Sequence, residues 1–362
     1  MSNFYEKFIV GFSVVLCTHN GKRRLHPTLA HLAAVHQPVG FSMELVLVDN
    51  ASVDDTVHFV KEIWKDLGTP FPLQTIMENR PGKGYAIEAG YDAASYSYIV
   101  TVDDDNWLAP DYLLQAAKLF EQHPDIGILQ GHNKGAFEKE PPSWIEADGL
   151  ERFFVIGGPA TDIGYFTKND FSVWGAGMII LKEDWSYIRK LGFTFLTSKV
   201  PGKAAGEDNE TAIALLLLGR KIYYSDALQY QHYMPAGRMK WQTLMNNFEV
   251  IGYTTYYFFL YALVLESYEK GYTLTEDVVR RKMIRSWLKN WRKFTWKQHL
   301  AYWVLPRKEY YQLRLKRYYS LPKWIWLLHK NVMKDITVLQ GWMLPILRQN
   351  SRSFSMKADL FS

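Results

Sequence analysis

The chain has 362 residues, of which 48% are hydrophobic and 22% charged, too apolar for a disordered polymer and long enough for a large core plus an appended unit. Its single cysteine, Cys17, excludes an intramolecular disulfide and suits a reducing compartment. The net charge of +5 hides an asymmetry. From Arg280 onward lie 19 of the 42 Lys and Arg, 3 of the 37 Asp and Glu and 7 of the 13 tryptophans, leaving about −11 before that point and about +16 after it.

Taken in order, the apolar run Phe8 to Cys17 follows Lys7 without a small-residue cleavage site, so it reads as a buried strand and not as a signal peptide. It enters the polar turn Thr18-His19-Asn20-Gly21, and a helix is expected over about Pro27 to Val35. A second strand, Glu44 to Val48, closes on Asp49-Asn50. Ser52, with Asp55 three residues later, reads as the cap of a helix that runs to about Asp66 and stops at Gly68. Strand Leu73 to Met77 leads into Asn79-Arg80-Pro81-Gly82-Lys83-Gly84, and a helix is expected over about Tyr85 to Ser95. The next run, Ser97 to Val102, is short, β-branched and apolar, and it ends abruptly in Asp103-Asp104-Asp105. Pro110 suits the first turn of the helix that follows, which ends near His123-Pro124.

Strands alternating with helices indicate an α/β fold, a mostly parallel, Rossmann-like sheet with helices on both faces. Ligands of such sheets sit at the carboxyl ends of the strands, where Thr18, Asp49, the Gly82–Gly84 loop and Asp103 to Asp105 all fall. Strand alternation would point Asp103 and Asp105 to one side and Asp104 to the other. Two like charges on one face call for a counter-ion, and Mg²⁺ or Mn²⁺ answers that need and bridges to phosphate oxygens. The plain alternative is an acidic turn at a strand end. Gly82-x-Gly84 lacks the third glycine of a dinucleotide fingerprint, because Ile87 stands there, and Lys83 is followed by Gly and not Ser or Thr, so neither nucleotide loop is present. A nucleoside diphosphate with a metal is the best match, with Asp49 at base or ribose, Lys83 at the phosphates, and Asp103 and Asp105 holding ribose and metal.

Four segments carry a resemblance: Val14 to Asn20, Val48 to Thr56, Asn79 to Gly84 and Val102 to Asp105. In this order over about 100 residues they resemble the successive motifs of glycosyltransferase family 2. The resemblance implies the GT-A fold and inverting transfer of a sugar from a nucleotide diphosphate-sugar. It also implies that Asp49 contacts the base, Asp103 the ribose and Asp105 the metal.

Further along, Phe171 to Ile180 reads as another strand, and its Gly175-Ala176-Gly177 admits close approach, either of a ligand or of a packed helix. Gly206-Glu207-Asp208-Asn209-Glu210 opens an apolar helix, where first-turn acids favour the helix dipole on their own account. The resemblance implies a general base in the Glu-Asp pair, assigned to Asp208, with Glu207 supporting the acceptor. It also implies a further metal ligand beyond the base. His232 occupies that place, a solvated loop histidine being the rival, and Arg238 suits a diphosphate as a bidentate donor.

The tail is expected to be helical. Val279, Met283, Trp287 and Trp291 recur every four residues, with Ile284 and Leu288 beside them and Lys and Arg covering much of the rest, a pattern that continues through Trp303, Arg314 and Trp326. It reads either as a lid packed on the catalytic domain or as a surface for anionic lipid. No nucleic-acid-binding module accompanies the charge. Val250 to Leu265, uncharged but rich in tyrosine, reads as a buried or interfacial helix.

The expected organisation is a GT-A catalytic domain over 1–240, with a nucleotide-sugar half at 1–130 and an acceptor half at 131–240, followed by a basic, aromatic helical extension over 241–362. The expected function is metal-dependent transfer, with Mn²⁺ or Mg²⁺, to a saccharide or lipid-linked saccharide. The donor site comprises Thr18, Asn20, Asp49, Lys83, Asp103 and Arg238, the metal site Asp103, Asp105 and His232, and the expected place is cytoplasmic, peripheral on the inner face of the membrane. A sugar-nucleotidyltransferase and a membrane-bound nucleotide-sugar binder without catalysis are the alternatives.

Overall fold

In the computed structural model, residues 8–147, 150–158, 163–166, 173–199, 205–292 and 331–350 are described. Contacts divide the chain into one unit comprising Met1–Lys240 with Asn350–Phe354, and a second comprising Trp241–Gln349 with Ser355–Ser362.

The first unit is built on β1 (Ile9–Thr18), β2 (Ser42–Asn50), β3 (Leu73–Glu78) and β4 (Tyr96–Asp103), all parallel, joined by α1 (Leu25–Ala33), α2 (Thr56–Asp66) and α3 (Lys83–Ala93). Then come β5 (Asn106–Leu108), α4 (Tyr112–Gln122), β6 (Ile126–Phe137), α5 (Ser143–Ala147), β7 (Gly164–Tyr165), β8 (Ile179–Leu181), α6 (Lys182–Lys190), α7 (Glu207–Leu217) and β9 (Lys221–Met234). The strands lie in the order β3-β2-β1-β4-β8-β6-β9-β5, with β7 beside β9. β8 runs antiparallel to both its neighbours, and β5 antiparallel to β9, so the sheet is mixed but mostly parallel.

Alternation along the central strands explains the layers. Val14 and Leu16, Leu45 and Leu47, Val100 and Val102 belong to the buried cluster that takes Leu29 from α1, Trp64 from α2 and Leu113 from α4. Each such side chain contributes about 1.5–3 kcal/mol on burial. Val15 and Val48 meet α3 on the opposite face, where a Cβ on Gly90 would stand 2.4 Å from Val15 and 2.9 Å from Val48. Glycine there lets the helix approach the sheet.

Several expected details change. Ser52 caps nothing: its hydroxyl accepts from the Asn20 N–H at 2.8 Å, and α2 starts after Asp55. Pro110 lies just outside α4, which starts at Tyr112. The strand expected over Phe171 to Ile180 is reduced to β8; Phe171 and Ser172 lie outside the described residues. Gly177 has φ +69, where a Cβ would press on the Tyr112 hydroxyl at 2.7 Å, and Gln130 binds the Trp174 backbone through both its N–H and its carbonyl. Those bonds replace a ladder.

In the second unit, α8 (Trp241–Lys270) packs against α10 (Val332–Gln349), and Tyr261 meets Trp342 edge-on at 6.0 Å. α8 is long and apolar enough to cross a membrane by length and composition, but 61% of its most apolar window is buried in the protein. The remaining described helix, α9 (Glu276–Arg292), buries Val279 and Met283 and leaves Ile284 and Leu288 exposed. The side chains of Trp287 and Trp291, and all of Trp303 to Trp326, lie outside the described residues.

Candidate functional site

The parallel register sets Thr18 beside Asp49 and Cys17 beside Asp103, so the carboxyl ends of β1, β2 and β4 share one edge. A pocket of about 540 Å³ opens there. Its lining includes Thr18, Lys83, Asp103, Asp104, Asp105, Trp174, Glu207, Asp208, His232 and Arg238.

β4 ends at Asp103, and the next two acids sit in a turn closed by Asn106. The Asn106 side chain accepts from the Asp103 N–H at 3.1 Å and donates to Asp105 at 3.2 Å. Alternation therefore does not extend through the triplet. Each acid faces its own cation. Asp103 takes Lys83 at 3.0 Å, Asp104 takes Arg24 at 2.6 Å, and Asp105 takes Arg238 at 2.7 Å. Asp104 also accepts from the Thr18 hydroxyl at 2.7 Å and lines the pocket, so it does not turn away as alternation would have it.

β9 pairs its His232 with Asn106, which brings the imidazole to Asp105. His232 Nδ1 must donate to the Val155 carbonyl at 3.1 Å, since that oxygen only accepts. Nε2 then meets Asp105 Oδ2 at 3.5 Å, either as an imidazolium donor or as a lone pair sharing a cation with the carboxylate. Burial pushes Asp105 up, but His232, Arg238 and Lys83 overcome it and hold the carboxyl down at about 2. A carboxylate held in its ionised form beside an imidazole suits Mn²⁺ or Mg²⁺, with further oxygens supplied by phosphate. The wider expected set does not assemble: Asp103 is turned to Lys83, and among the described residues no three His, Cys, Asp or Glu side chains converge on a metal position.

Gly206, at φ +105, lets the chain turn into α7, so that Glu207 and Asp208 open the helix at the pocket wall. Glu207 is buried and both its oxygens are engaged, Oε1 by Lys83 at 3.2 Å and Oε2 by the Ser198 hydroxyl. Burial raises its pKa, but Lys83 and Ser198 bring it below the ordinary range. Asp208 accepts from the Gly175 N–H at 3.2 Å and from the Asn209 N–H at 2.7 Å and side-chain amide at 2.9 Å. Burial, and then the Glu207 charge, push Asp208 up to about 7. For Lys83, burial opposes the charge, yet Asp103 and Glu207 hold it well above its usual range.

Two expected donor-site residues are not among those lining the pocket. Asn20 ties two loops together, its side chain accepting from the Val53 N–H at 2.8 Å. Asp49 is buried behind the strand ends, and its Oδ1 has no hydrogen-bond partner among the described residues. The residues beyond sequence reasoning are Arg24, Asn106 and Asn50. Asn50 clamps the Asn79–Gly84 loop, donating to the Arg80 carbonyl at 2.7 Å and accepting from the Gly82 N–H at 2.8 Å. A polar residue directly after a strand-end acid was the available signal for Asn50 and Asn106; nothing local marked Arg24.

Comparison with known proteins accords with this geometry. Residues 13–183 match the family model described as glycosyl transferase family 2. An undecaprenyl-phosphate 4-deoxy-4-formamido-L-arabinose transferase of Pseudomonas syringae pv. syringae is 26% identical over 144 residues, 40% of this chain and 42% of that protein. A poly-beta-1,6-N-acetyl-D-glucosamine synthase of Staphylococcus epidermidis is 25% identical over 124 residues, 34% of this chain and 29% of that one. These matches span less than half the length of either relative. Among solved structures, S. aureus TarS 1–349 in complex with UDP-GlcNAc aligns with a TM-score of 0.52 at 17% identity, covering 97% of this chain and 89% of that chain, a likeness of fold.

Proposed function

We propose that this chain, whose residues 13–183 match the glycosyl transferase family 2 model, transfers a sugar from a nucleoside diphosphate-sugar to an acceptor hydroxyl with inversion, Asp208 taking the hydroxyl proton. One observation carries the reading. The Asp208 carboxylate, held by the Gly175 and Asn209 N–H groups and raised by burial, lines the same pocket as the cations and acids that suit a diphosphate.

Lys83 and Arg238 bind and orient the diphosphate, and Asp103, at the pocket wall, holds the nucleoside. Asp105 and His232 would hold Mn²⁺ or Mg²⁺, which when bound supplies Lewis-acid neutralisation of the leaving group. The acceptor oxygen bonds to the anomeric carbon while the bond from that carbon to the diphosphate oxygen breaks on the opposite face. The nucleoside diphosphate leaves with the electron pair, and the hydroxyl proton passes to Asp208. The acceptor is a saccharide or a lipid-linked saccharide; the lipid phosphate and the polysaccharide in the relatives' names support that class. Residues 241–362 hold the enzyme on the cytoplasmic face of the membrane, with their basic, aromatic composition as the support.

The test is Asp208→Asn, which keeps nearly the same volume. Transfer should fall by roughly 10²-fold or more. Nucleoside diphosphate binding in a calorimetric titration should stay within a few-fold and should be lost with chelator in both proteins. Unchanged transfer removes Asp208 as the base.

A further inference from the structure

We propose that Glu207 is a positioning residue of the transfer: its carboxylate, tied to Lys83 and Ser198, is a fixed negative neighbour that makes Asp208 the proton acceptor of the pair. The inference rests on the reading of Asp208 as base.

The two carboxylates are adjacent in sequence at the start of α7 but have opposite surroundings. Glu207 has a cation and a hydroxyl on its two oxygens, and its side chain is 7% exposed, so no face is left for an acceptor. Among the described residues Asp208 accepts from neutral donors, the Gly175 and Asn209 N–H groups and the Asn209 amide. When two buried acids share one site, the negative charge settles where the cation is, and the other acid retains affinity for a proton. Glu207 is thereby the permanent anion.

The tether has its own support. Ser198 presents its carbonyl to the Gly84 N–H at 2.9 Å, while its hydroxyl meets Glu207. A Cβ on Gly82 or Gly84 would come within 3.1 Å of this passing backbone, so glycine is what admits it. Two further buried acids grip the same segment. Glu88 of α3 accepts from the Phe195 N–H at 2.8 Å, and Glu210 of α7 from the Thr197 N–H at 2.8 Å. The starts of α3 and α7 are thus bound to one strand of chain, which keeps Lys83 and Glu207 in register. The charged and titratable groups that share the pocket with Asp208 are Glu207 on its own helix, Lys83 and Tyr91 from α3, Cys17, His19 and Arg24 from β1, the turn after it and the residue before α1, and Asp103, Asp104, Asp105, His232 and Arg238 across it.

The experiment is the pH dependence of kcat/KM for the wild type, Glu207→Gln and Glu207→Asp, with a ¹³C-carboxylate NMR titration of Asp208 in the donor-free wild type. Removing the neighbouring anion should move the acid limb of the Glu207→Gln profile down by about one pH unit and lower its plateau. Glu207→Asp keeps the charge and should keep the limb. An unmoved limb in a folded Glu207→Gln overturns the inference. So does a wild-type Asp208 that titrates in the ordinary carboxylate range, a measurement that stands even if the variant does not fold. Loss of transfer in Asp208→Asn together with an unmoved limb in Glu207→Gln sinks the role of Glu207 alone; full transfer in Asp208→Asn sinks the base reading as well.

Discussion

Glu210 lies two residues beyond the assigned base, fully buried, with its oxygens accepting from the backbone N–H groups of Leu196 and Thr197. Burial outweighs those bonds and pushes its carboxyl up to about 8, from 4.5 in an exposed chain. The folded protein therefore binds a proton that the unfolded chain has already released. That stability is fully present below about pH 4.5 and is lost as pH rises through about 8. The melting temperature should fall by several degrees between about pH 6 and about pH 9, and Glu210→Gln should flatten the fall. Asp184 and Asp208 are raised in the same direction, so the contrast between variant and wild type is what isolates Glu210. Parallel melting curves in the two proteins would remove Glu210 as the source. Single residues also mark how far the site is legible in the sequence. Asp103 to Asp105 announce themselves, because three acids end a β-branched run. Their cations do not: Arg24 lies 80 residues from Asp104 and Arg238 lies 133 from Asp105, and no spacing rule spans such distances.

Elements were legible where one pattern governed them. β1, β2 and β4 are continuous apolar runs buried on both faces, and α2 and α4 begin and end near their punctuation. β8 was not, because its preceding residues have strand composition while their backbone groups are taken by Gln130, Thr101 and Tyr112. The alternation rule failed on the acidic triplet for a related reason: the strand stops one residue into it. α9 carries a prediction of its own. At 100° per residue, Val279 and Met283 lie on one side, while exposed Ile284 and Leu288 lie opposite among exposed Arg281, Arg285, Lys289 and Arg292. Each such cation contributes about 1 kcal/mol near an anionic surface. The protein should float with phosphatidylserine vesicles and not with phosphatidylcholine ones, and salt should weaken the binding. Replacing Ile284 and Leu288 together by Asp should abolish flotation with little change in melting temperature. Equal flotation of the variant would exclude this face of the helix.

At the scale of the whole molecule, charge divides along the chain into about −11 before Arg280 and about +16 after it, a boundary that falls inside the second unit, within α9. Five acids of the first unit, Asp103 to Asp105, Glu207 and Asp208, line the strand-end pocket, where the proposed metal and sugar nucleotide would sit, and the cations after Arg280 suit a surface of phosphates. What unites the proposal is a single displacement at one carbon, with base and leaving group on opposite sides of the sugar. The direct measurement is the anomeric configuration of the product, read by NMR with a panel of nucleotide sugars and acceptors, together with the identity of the released nucleotide. The account predicts inverted configuration and one nucleoside diphosphate per sugar transferred; retained configuration, or release of pyrophosphate, would contradict it.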